Sequence, residues 1–72
     1  MELQGLEDRL CSEQTWLMGM QRKMIEKGVP GAESVNLYRQ LHLFVVKLRQ
    51  SGIRQMSMYE LKTYFAANVC RI

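Results

Sequence analysis

The chain has 72 residues, 47% of them hydrophobic and 24% charged, with a net charge of +3. That length allows one domain and leaves little stability in reserve, because so short a chain buries only about 60% of the surface it exposes when unfolded. Cys11 and Cys70 are too few for a disulfide scaffold, and with the lone His42 they fall short of a four-ligand zinc site, so self-association is the expected supplement.

The first helix is expected from about Glu2 to Lys27. Leu3, Leu6, Leu10, Leu17, Met20 and Met24 recur at steps of three and four, broken only at Glu13. Such near-heptad spacing suits a partner helix lying almost parallel. Gly28-Val29-Pro30-Gly31 stops it, with glycine taking the left-handed position after the last turn.

A second helix is predicted from about Glu33 to Ser51, with Leu37, Tyr38, Leu41, Phe44, Val45 and Leu48 on its main face. Gly52 and Ile53 read as a Schellman end. Leu43, Val46 and Val35 lie outside that face and form a second apolar strip. A small monomer has no need of one, so either the third helix or another chain is the expected cover.

The third helix begins at the most specific local signal in the chain. In Met56-Ser57-Met58-Tyr59-Glu60-Leu61, Ser57 and Glu60 fit a capping box and Met56 and Leu61 a hydrophobic staple. The helix runs from Met58 to about Asn68, with Met58, Leu61, Phe65 and Val69 on one face. No strand pattern is present. The expected fold is all-α: three antiparallel helices of roughly 26, 19 and 11 residues, completed by dimerisation. At about 39 Å the first outreaches the third, at about 16 Å, so Leu3, Leu6 and Leu10 are expected to stay wet in a monomer. Together with Leu43 and Val46 they are the predicted protein interface.

No motif points to catalysis, a metal, a cofactor or a small-molecule substrate. His42 has no local nucleophile or orienting group, and Gly28-x-x-Gly31 lacks the Lys-Ser/Thr of a phosphate loop. Met18, Met20, Met24, Met56 and Met58 suit either a core or an adaptable groove. The Leu43–Val46 run is far short of the roughly 20 apolar residues that span a bilayer. The start of the chain is acidic where a leader would be basic, so a cytoplasmic protein is expected. Charge is uneven: residues 1–13 hold Glu2, Glu7, Asp8 and Glu13 against Arg9, a net −3, and the remainder holds +6. An acidic first helix and a basic remainder can attract each other within a chain or between chains.

These features favour a small regulatory or adaptor protein that binds a protein partner, itself included, and is not an enzyme. The alternative is a nucleic-acid-binding regulator using Arg39, Arg49, Arg54 and Lys62. The stretch from Leu41 to Phe65 loosely resembles the lead-in to a helix-turn-helix reader, in which the capped helix precedes a recognition helix; none follows within these residues. The triplet Leu37-Tyr38-Arg39 resembles the signature of the mitochondrial LYR-motif proteins. That family carries it in the first helix with two long helices after it, so nothing is carried over.

Overall fold

The structure is a computed structural model that describes residues 2–69. Cys70, the second cysteine, lies outside them. The described residues form four α-helices and one 3₁₀ turn, without a strand. The fold is all-helical, as the periodicity predicts, with a different division of the chain.

The single helix expected over 2–27 is two: α1, Leu3–Cys11, and α2, Gln14–Glu26. The break falls at Glu13, where the apolar series misses its step. There the backbone leaves the helix at φ −91° and ψ 67°. The N–H groups of Ser12 and Glu13 donate to the carbonyls of Arg9 and Leu10, tightening the last turn of α1. The Ser12 hydroxyl also donates to the Asp8 carbonyl, at 3.2 Å, a back-bond that favours bending.

The end of α2 follows the expected chemistry. Gly28 sits at φ 74°, its N–H donates to Ile25, and that of Val29 donates to Met24, the paired bonds of a Schellman motif. The second predicted helix begins later than Glu33. Ala32–Ser34 is a 3₁₀ turn, held to α2 by Gln21, whose side-chain amide donates to the Ala32 carbonyl at 2.9 Å. Helix α3 is Leu37–Gln50, and its N-cap is Asn36, which accepts from the Arg39 N–H at 3.2 Å. Gly52 and Ile53 close α3 by the predicted pair of bonds, to Arg49 and Leu48. Helix α4 is Met58–Val69. Its capping box forms in both directions: Glu60 N–H donates to Ser57 Oγ at 3.1 Å, and Ser57 N–H to Glu60 Oε1 at 3.2 Å.

Helix α1 packs chiefly on α3, and α4 packs on α3 as well. The core is wholly apolar and draws on every element, from Leu3, Leu6 and Leu10 through Leu17, Met20, Met24, Leu41 and Val45 to Leu61 and Phe65. The Phe65 ring is at its centre, 5.8 Å from Phe44 and 6.4 Å from Trp16 between ring centroids. The N-terminal segment meets the loop between α3 and α4. Glu2 pairs with Gln55 in an isolated antiparallel bridge, and the Leu3 N–H donates to the Arg54 carbonyl at 3.1 Å.

This packing corrects the expectation of a wet N-terminal stripe. Leu3, Leu6 and Leu10 are 2%, 1% and 0% exposed within one chain. A straight rod would have overshot its neighbours, whereas the bend at Glu13 lets α1 fold onto α3. The radius of gyration, 11.9 Å, is close to the roughly 11 Å of a compact domain of this length. Tyr38 is also displaced from its predicted place, as it is half exposed rather than part of the core face of α3.

Candidate functional site

Large apolar side chains are exposed on several elements: Met18 and Ile25 on α2, Tyr38 and Leu43 on α3, Ile53 in the loop after it, and Tyr59 and Tyr64 on α4. Leu43 is the one of them at the predicted interface, on the outer side of α3. Leu37, Leu41 and Val45 turn inward and are buried. Arg39, Leu43, Val46 and Gln50, at steps of four, three and four, form one ridge on the other side. Leu43 is 45% exposed and Val46 half-buried, with Lys47 and Arg49 exposed beside them. The apolar strip predicted at Leu43 and Val46 is therefore on the surface, while Leu3, Leu6 and Leu10 are in the core.

The ridge runs into an open groove of about 530 Å³ between the C-terminal end of α3 and the start of α1. Val46, Arg49 and Gln50 supply one wall, and Arg54 and Gln55 of the α3–α4 loop another. Glu2, Leu3 and Gln4 complete it. The Glu2–Gln55 bridge makes this groove, by joining segments more than fifty residues apart in sequence. No local pattern signals such a pairing. Lys47 could have been read from its place on the helical wheel.

Of the four bases proposed for nucleic acid, three lie along α3 and the loop after it and one does not. Arg49 and Arg54 share the groove. Arg39 is in the first turn of α3, about 15 Å up the helix from Arg49 at 1.5 Å per residue. Lys62 is on α4, where its Nζ is 2.8 Å from Glu13 Oε2 and 5.4 Å from the centre of the Trp16 ring. Its charge is met within the chain. Among the described residues, Arg39, Lys47, Arg49 and Arg54 form no ion pair with a carboxylate.

Other chemistry is sparse. His42 Nδ1 is 3.1 Å from Glu7 Oε2, a surface link between α3 and α1. Burial raises the Cys11 thiol above its ordinary pKa, and the charges of Glu7 and Asp8 add to the shift. No group of three or more His, Cys, Asp or Glu among the described residues is placed to hold a metal ion. Among the described residues, no helix is long and apolar enough to cross a membrane. A smaller cleft of about 260 Å³ between α2 and the start of α3 is lined by Leu17, Met18, Val35 and Tyr38. Met18 is thus on the surface, while Met20, Met24 and Met56 are core. No known protein family, curated protein or solved structure matches the chain.

Proposed function

We propose that the chain is a small regulatory or adaptor module that acts by binding another protein through the outer face of α3. The observation that carries this reading is the pairing of Leu43 and Val46 at the centre of a ridge edged by Arg39, Lys47, Arg49 and Gln50. An apolar centre with a polar rim is the anatomy of a protein interface. A nucleic-acid contact favours phosphate-binding cations along its whole length, and here Lys62 is already paired with Glu13.

The reading makes a homodimer a weaker partner than the sequence implies. Burial of the α1 stripe leaves Leu43 and Val46, of the five residues predicted for the interface, as the ones two copies could share. Two copies joined there would set Arg39, Lys47 and Arg49 near their own like, and like charges across an interface oppose association.

Comparative affinity capture from the native host tests the function, with wild-type protein and Leu43→Glu as parallel baits. Proteins held by the first and lost by the second support it. Identical sets from both baits, or nucleic acid as the retained component, refute it. Sedimentation of the wild type at micromolar concentration tests the dimer separately.

A further inference from the structure

Between Glu33 and Glu60 the sequence contains no acid and four bases, Arg39, Lys47, Arg49 and Arg54. The fold spends that stretch on α3 and the loop after it, so the cations surround Leu43 and Val46 and then line the groove. From Arg39 to Gln50 the ridge is about 16 Å long, three helical turns at 1.5 Å per residue. At its end the groove is lined by two arginines, Arg49 and Arg54, together with Leu3 and Val46, with Glu2 as the one acid among its lining residues.

We infer that the surface receives an acidic amphipathic helix of a partner protein. Its apolar side chains, at steps of three and four, would pack over Leu43 and Val46. Its carboxylates would meet Arg39 at one end and Arg49 and Arg54 at the other. Guanidinium groups suit this task, since they present a planar fork to a carboxylate and can bind it through two parallel hydrogen bonds. Charge complementarity selects the occupant. A second copy offers either a basic α3 or an acidic α1 whose leucines are buried in its own core, and a nucleic acid has no use for the apolar centre. The inference rests on the protein-binding reading and adds the chemistry of the partner.

The test uses full-length protein and two synthetic helix-forming peptides, one with leucines at steps of three and four flanked by glutamates, the other with glutamine in place of every glutamate. Amide chemical shifts are followed during titration. The acidic peptide is expected to move Leu43, Val46, Arg49 and Arg54, and to bind roughly tenfold more weakly to Arg49→Glu. Its binding should fall as salt is raised, and the glutamine peptide should bind far less. Arg49 is exposed, so Arg49→Glu should fold, and its circular dichroism spectrum verifies that. Arg54→Gln serves as the second variant.

Absence of shifts at millimolar acidic peptide, equal binding of the glutamine peptide, or shifts centred on Met18 and Tyr38 would each overturn the inference. So would tighter binding of a DNA duplex than of the acidic peptide. The two levels separate cleanly. Capture that depends on Leu43 alongside an inert acidic peptide removes this inference alone, whereas capture indifferent to Leu43 removes the function itself.

Discussion

Lys62 Nζ stands 2.8 Å from Glu13 Oε2, and the same ammonium lies 5.4 Å from the centre of the Trp16 ring. The contact pins α4 to the junction of α1 and α2. Glu13 is where the helix breaks, and its side chain fastens the resulting corner to a helix far along the chain. Trp16 extends the corner inward, toward Phe65. The arrangement also removes Lys62 from the cations available to a partner.

Breaking this contact should cost little in stability and shift the salt response. Both side chains are partly exposed, and ion pairs of that kind are worth about 0.2–1 kcal/mol. The cation over the indole adds about 0.5–1 kcal/mol. Urea denaturation of Lys62→Met, Glu13→Gln and the double variant gives the coupling by a mutant cycle. The expected coupling is below about 1 kcal/mol and shrinks as salt is added. Comparing Trp16→Leu in the wild-type and Lys62→Met backgrounds isolates the ring's share.

The α4 cap offers a sharper test. Ser57→Ala deletes the oxygen that accepts from the Glu60 N–H and should cost about 1 kcal/mol. In urea the midpoint should fall while the dependence on denaturant stays unchanged, since the same surface is exposed on unfolding. An unchanged midpoint would mean that solvent replaces the hydroxyl at no cost.

The elements that were legible in the sequence are those fixed within a few residues. The capping box at Ser57 and Glu60, the glycine ends at Gly28 and Gly52, and the buried face of α4 all formed as their local chemistry dictates. The helix break was visible only as a missing apolar step at Glu13, and nothing local said whether the rod would bend there. Whether Leu3, Leu6 and Leu10 are surface or core depends on that bend. The groove was less legible still, since it requires Glu2 to meet Gln55, a pairing set by tertiary packing. Asn36 is a local signal too, since asparagine favours the N-cap position, and it starts α3 later than the expected Glu33.

Leu10 and Leu43 give opposite predictions from the same residue type. Leu10 is wholly buried and Leu43 is nearly half exposed. Leu10→Ala should cost about 2–5 kcal/mol, a large share of the roughly 4–11 kcal/mol expected for a domain of this length. Leu43→Ala should stay within about 0.5 kcal/mol of wild type. Thermal and urea unfolding check both. A costly Leu43→Ala would place that residue in the monomer's own core and take the ridge away from any partner.

The Cys11 thiol sets a pH dependence whose sign can be worked out. Burial raises it above the ordinary 9.0, with Glu7 and Asp8 adding to the shift, so the folded state prefers the neutral thiol. As pH climbs past 9.0 the unfolded chain ionises first and gains stability over the folded one. The contribution is therefore whole below pH 9 and is lost as pH rises through the higher folded value. At pH 8 iodoacetamide should label Cys11 more slowly in the native protein than in urea, because the thiolate is the reactive form. Asp8→Asn should speed the native reaction by removing one of the charges that disfavour the thiolate. Peptide mass spectrometry resolves the labelling at Cys11, and equal rates in the folded and unfolded protein would show that neither burial nor the neighbouring acids govern this thiol.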